Sequence, residues 1–90
     1  MRTEWLMEAL DGNAIAGTLQ DVFGGEMTMA DSVCAHCGAG RAVAELLVYV
    51  RAPGTVVRCR SCQNIVMVLV EVRGTTCVDL RGLDRIESPG

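Results

Sequence analysis

The sequence predicts a small α+β domain, with an antiparallel sheet of three to four strands and an N-terminal α-helix packed on it. Three observations predict it. Two C-x-x-C motifs, Cys34-Ala35-His36-Cys37 and Cys59-Arg60-Ser61-Cys62, stand 21 residues apart. Upstream, Ile15, Leu19, Val22 and Phe23 recur on one helical face between Asp11 and the pair Gly24-Gly25. Downstream, β-branched and apolar runs alternate with turn residues, as in a meander of short strands. At 90 residues the chain is long enough for one core and too short for two. It divides into a helical segment and connector (1–33), a β unit carrying the cysteines (34–82) and a short tail (83–90).

Residues 3–10 suit a first helical turn or two, with Thr3 at its start and Trp5, Leu6 and Leu10 apolar. The main helix is expected over about 12–23. Asp11 is its N-cap, Leu10 and Ile15 are spaced as a hydrophobic staple, and Gly24 or Gly25 ends it in the left-handed region. Gly17 weakens the helix, or admits a close approach to the sheet. Residues 26–33 read as a connector with Met27 and Met29 tucked under the helix.

From Val43 to Arg51 a strand places Leu46, Val48 and Val50 on one face. Ala52-Pro53-Gly54 fits a type II turn, and Thr55 to Arg58 returns antiparallel to deliver Cys59. Ile65 to Val72 is apolar on both faces until Glu71 and reads as a central strand. Arg73-Gly74-Thr75 turns the chain into a last strand, Thr76 to Leu80, with Val78 and Leu80 on one face and Cys77, Asp79 and Arg81 on the other. In the tail, Leu83 and Ile86 are placed to dock.

The cysteine spacing carries the chemistry. Each C-x-x-C can wrap a tight turn around one ion, and two such turns supply four soft thiolates to a closed tetrahedron, the arrangement zinc takes in structural sites. Cys34, Cys37, Cys59 and Cys62 are therefore the expected ligands of one zinc ion per chain. Gly38 stands where the first turn requires a positive φ; in the second that place falls to Gln63, with Asn64 next. A single iron, as in rubredoxins, is the main rival metal, and it fits a chain with so few aromatics poorly. A dithiol redox pair would open a helix after a strand; here strands follow both motifs. His36 reads as a solvent-exposed side chain rather than a ligand, and Cys77 as a small apolar filler on a strand face.

The two motifs and the hairpin between them resemble the zinc-ribbon superfamily over residues 34 to about 81. Leu10-Asp11-Gly12-Asn13-Ala14 and Val48-Tyr49-Val50-Arg51-Ala52-Pro53-Gly54-Thr55-Val56 extend the resemblance, over nearly the whole chain, to a family of short, uncharacterised bacterial zinc-ribbon proteins. That resemblance implies a fold and a metal, and no activity.

Composition narrows the function classes. Hydrophobic residues make up 50% of the chain and aromatics 3%, so aliphatic side chains must build the core. A domain this small commonly needs a metal or disulfides to fold. The longest apolar run, Ile65 to Val70, is far short of a bilayer span, and the acidic first 30 residues lack a secretory pattern. The cytoplasm is the expected location. One histidine and a saturated metal site supply no parts for general acid–base or hydrolytic chemistry, so neither an enzyme nor a small-molecule substrate is expected.

Residues 1–31 set Arg2 against Glu4, Glu8, Asp11, Asp21, Glu26 and Asp31. Residues 32–82 are basic, through Arg41, Arg51, Arg58, Arg60, Arg73 and Arg81. With Tyr49 available to stack on a base, nucleic-acid binding is one alternative; a net charge of −3 and the acidic first third oppose it. A metal- or thiol-responsive sensor is another. The leading expectation is a protein-interaction module, with a homodimer as its simplest form.

Overall fold

A computed structural model describes residues 10–51 and 54–87. It is a small α+β structure with two antiparallel sheets and one short α-helix. In chain order these are β1 (Leu10–Asp11), α1 (Ala16–Phe23), β2 (Asp31–Cys34), β3 (Gly40–Ala42), β4 (Leu47–Arg51), β5 (Gly54–Arg58), β6 (Ile65–Val72), β7 (Thr75–Asp79) and β8 (Leu83–Glu87). The five-stranded sheet runs β1-β4-β5-β6-β7 and the three-stranded sheet β3-β2-β8. The single sheet of three to four strands is thus corrected to two sheets among the described residues.

The helix begins and ends as its residues dictate. The Asp11 carboxylate accepts from the Asn13 N–H at 3.1 Å, and Gly24 closes the helix at φ 79°. Between them, Gly12–Ile15 winds as a 3-10 turn before the α-helical part starts at Ala16. Close packing there requires Gly12: a Cβ would overlap the Val43 carbonyl and lie 2.8 Å from Ala44 Cα. Val43–Glu45, expected as strand, is wound as a 3-10 turn, in which Ala42 N–H donates to the Glu45 carboxylate and Leu46 N–H to the Val43 carbonyl. At Gly17 there is no close approach, since a Cβ would meet nothing within 4 Å. Only half the apolar stripe is covered: Ile15 and Leu19 are buried, whereas Val22 and Phe23 are exposed. Met27 is buried and Met29 exposed, so the expectation for the second methionine fails.

The β4–β5 hairpin and the bounds of β6 agree with the sequence reading. The type II turn expected at Ala52-Pro53-Gly54 and the helical turns expected over residues 3–10 lie outside the described residues, apart from Gly54, which opens β5, and Leu10, which is in strand β1 rather than a helical turn. Arg73 and Gly74 form a two-residue turn with φ 53° and 80°, the pair of positive values that a type I′ hairpin uses. The expected connector supplies β2. Residues 83–87, read as a tail, instead form β8 and pair with β2. Leu83 and Ile86 pack against the core as expected.

The core is one cluster fed by both sheets and the helix: Ile15 and Leu19 meet Ala30, Val43, Val48, Val57, Val66, Met67 and Leu69. Aliphatic burial of this kind, at roughly 25 cal/mol per Å² of apolar area, is the main favourable contribution to the fold. Among the described residues no helix is long and apolar enough to cross a membrane.

Candidate metal centre

The two C-x-x-C motifs occupy corresponding positions at the tips of two hairpins. Cys34 ends β2, and the chain turns through residues 35–39 into β3; Cys59 follows β5, and the chain turns through 60–64 into β6. Each hairpin belongs to a different sheet, so the four cysteines lie where the two sheets converge.

The two turns match bond for bond. Cys34 N–H donates to the Ala39 carbonyl and Gly38 N–H to the Cys34 carbonyl; Cys59 N–H donates to Asn64 and Gln63 N–H to Cys59. The left-handed residue is Gly38 at φ 78° in one turn and Gln63 at φ 67° in the other. This geometry aims backbone N–H groups at sulfur. His36 N–H reaches Cys34 Sγ and Ser61 N–H reaches Cys59 Sγ, both at 3.3 Å. The N–H groups of Ala39 and Asn64 serve Cys37 and Cys62. Every sulfur thus receives a donor from two residues ahead.

The four Sγ atoms lie within 4.8 Å of one another and can hold a metal ion. Cys34 and Cys62 are 3.7 Å apart, Cys37 and Cys59 3.6 Å. A tetrahedron with metal–sulfur bonds near 2.3 Å has edges of about 3.8 Å. Those two edges match one tetrahedrally bound ion, and the other four lie within 4.8 Å. All five cysteines are free thiols.

The protonation balance also favours a cation. Backbone and side-chain N–H groups of Asn64 draw the Cys62 thiol down to about 6. Burial pushes Cys59 up, but the N–H groups of Cys62 and Ser61 outweigh it and leave that thiol below its ordinary value. Cys37 has the Ala39 N–H to lower it, yet desolvation and the three neighbouring sulfurs raise it to about 11. Four sulfurs this close cannot all be thiolates without a positive ion among them.

Three arginines brace the second turn. Arg41 donates to Ser61 Oγ at 2.7 Å, Arg60 to the Glu45 carbonyl at 2.7 Å and Arg58 to the Gln63 carbonyl at 2.8 Å. Arg58 also sits 5.9 Å from the centre of the Tyr49 ring. Ala35 N–H donates to the Gly82 carbonyl at 2.9 Å, tying the first turn to the segment that leads into β8.

All four cysteines predicted from the sequence come together here. His36 lies outside the cluster and is exposed. Cys77 is also remote, and it is exposed rather than a filler. The spacing argument missed Asn64 as a direct partner of sulfur: its side-chain amide donates to Cys62 Sγ at 3.3 Å. A short polar side chain two residues after a ligand was the available signal. Gly82 was missed too, because its importance depends on a contact distant in sequence.

Residues 4–90 match one protein family, described as "Family of unknown function (DUF6510)", and the chain belongs to that family. No curated protein and no solved structure matches the chain.

Proposed function

We propose that this member of DUF6510 is a non-catalytic zinc-ribbon protein in which Cys34, Cys37, Cys59 and Cys62 hold one structural zinc ion. Its role on this reading is a protein-interaction module of the cytoplasm, where thiols stay reduced. The observation that carries the proposal is the closed set of four sulfurs, each already given a backbone N–H, at the junction of two sheets. A saturated tetrahedron leaves no open coordination position for a substrate or an activated water, which argues for a structural ion.

The interaction role is supported by apolar surface beyond the needs of the core. On the sheet face opposite α1, Val68 and Val70 are half-buried and Val72 is exposed, beside Tyr49 and Val56. The nucleic-acid alternative has less support, because Arg41, Arg58 and Arg60 are engaged with Ser61, Gln63 and Glu45.

Native mass spectrometry of the purified chain tests both parts. One zinc per chain, retained in a dimer or larger assembly, is the expected result. One iron per chain, or metal-free protein that keeps its fold, would overturn the structural-zinc assignment.

A further inference from the structure

We infer that β7 is the contact strand of a homodimer, pairing antiparallel with β7 of a second copy about a two-fold axis through Cys77. The inference deepens the interaction role proposed above and rests on it.

Among the described residues the two sheets have four edge strands, β1, β7, β3 and β8. Three are poor templates for another strand. β1 is two residues long among the described residues, and β3 is three residues with Arg41 at its centre. β8 carries Asp84, Arg85 and Glu87 among its five residues. Short strands and charged side chains are the usual protection of sheet edges. β7 has neither. It is Thr75-Thr76-Cys77-Val78-Asp79, without lysine or proline, and it pairs with β6 in uninterrupted register. Its one charge, Asp79, is neutralised by Arg81, whose Nη2 lies 2.7 Å from Oδ2 and whose Nε reaches both carboxylate oxygens at 3.1 Å.

The turn decides which backbone groups remain free. In a two-residue hairpin the flanking residues, here Val72 and Thr75, exchange both of their bonds. Thr75, Cys77 and Asp79 therefore point their N–H and C=O groups at β6. Those of Thr76 and Val78 point outward, where no described strand pairs with them. A partner must supply donors and acceptors two residues apart, and a second β7 does so.

Self-pairing centred on Cys77 sets Thr76 opposite Val78 of the second copy, and Val78 opposite Thr76, and forms four backbone bonds. Centring on Thr76 would instead need Gly74 opposite Val78, and Gly74 is in the turn at φ 80°. In the favoured register Asp79 faces a threonine hydroxyl of the second copy, Thr75, which can donate to it. The row Val70–Cys77 continues into its own image with no charge at the seam.

Sedimentation velocity and native mass spectrometry of the zinc-loaded full chain test this. The wild type is expected to dimerise. Cys77→Glu sets like charges directly opposite on the axis, at a position exposed in the monomer. Thr76→Pro removes an outward N–H from each copy without touching the β6 pairing. Each should raise the dissociation constant by roughly 10- to 100-fold. Mixing Cys77→Glu with Cys77→Lys should restore a dimer that contains one of each. A wild type that stays monomeric with zinc bound would overturn the homodimer while leaving the zinc assignment standing. A dimer unchanged in both Cys77→Glu and Thr76→Pro would leave an interaction module and overturn β7 as its contact.

Discussion

Gly82→Ala probes whether the metal centre depends on the segment between β7 and β8, which lies outside both cysteine turns. At Gly82 a Cβ would overlap the Ile65 carbonyl oxygen and stand 2.5 Å from Val66 Cα and 3.0 Å from the Ile65 carbonyl carbon. All three atoms are backbone at the start of β6, three or four residues beyond Cys62, so no side chain can rotate away. Relief requires moving β6 or the 80–82 segment. Overpacking against a fixed backbone costs about 1–3 kcal/mol. For a domain of this size that is a fall of about 5–20 °C in Tm.

The displacement should also reach the sulfurs, because Ala35, adjacent to Cys34, donates to the Gly82 carbonyl. Loss of such outer support commonly costs roughly tenfold or more in metal affinity. The assay is thermal unfolding at a fixed free-zinc concentration, since bound metal itself raises stability. It is paired with zinc competition against a chromophoric chelator. Gly17→Ala is the control: its Cβ meets nothing within 4 Å, and it should gain about 0.4–1 kcal/mol. A Gly82→Ala protein with wild-type Tm and zinc affinity would refute the reasoning.

Replacing Gln63, which holds φ 67° in the second turn, with Gly should raise stability by about 0.5–1 kcal/mol; equilibrium urea unfolding with zinc present checks it. Chelation should abolish cooperative folding, because structural zinc supplies roughly 10–16 kcal/mol against a typical domain stability of 5–15; circular dichroism after treatment with a strong chelator would read this. Acid should release the metal. With its thiol drawn down to about 6 from an ordinary 9.0, Cys62 contributes stability that is complete above about 9 and lost as pH falls through about 6. Asn64→Ala removes one of the donors that lower this thiol, so protons compete sooner and the release midpoint should move to higher pH, read by a zinc indicator.

What the sequence made legible was set by rules that act over a few residues. Asp11 caps, Gly24 stops, and Arg73-Gly74 turns, because each acts on backbone groups within its own turn. The four metal-site cysteines were legible for the same reason: two C-x-x-C turns have to repeat one local geometry, and they do so down to matching hydrogen bonds. Apart from Asn64, whose contact with Cys62 is local, the larger misses are non-local. Val43–Glu45 leads into an apolar strand, but its Val43 and Ala44 N–H groups bond to the Ala30 and Thr28 carbonyls, distant in sequence, and the segment winds into a turn. Leu83–Glu87 has the charge pattern of a tail; it becomes a strand because β2 offers it an edge. Val22 fits the helical stripe and yet lies beside Glu71 and Gly74, beyond the sheet's covered face.

The same division explains why a structural ion suits this fold. Between them the two sheets share one core, to which the three-stranded sheet contributes directly only Cys34 of β2 and the partly buried Leu83 and Ile86 of β8, among the apolar residues. Apolar burial alone therefore holds the smaller sheet weakly. Hydrogen bonds that link the sheet-bearing segments, such as Arg41 to Ser61 and Arg60 to Glu45, are exposed and each contribute little. A metal–thiolate site at the meeting of the β2–β3 and β5–β6 tips would act on the contact the core supports least. At the junction, rather than within one sheet, a bound ion would be a determinant of how the two sheets are held together.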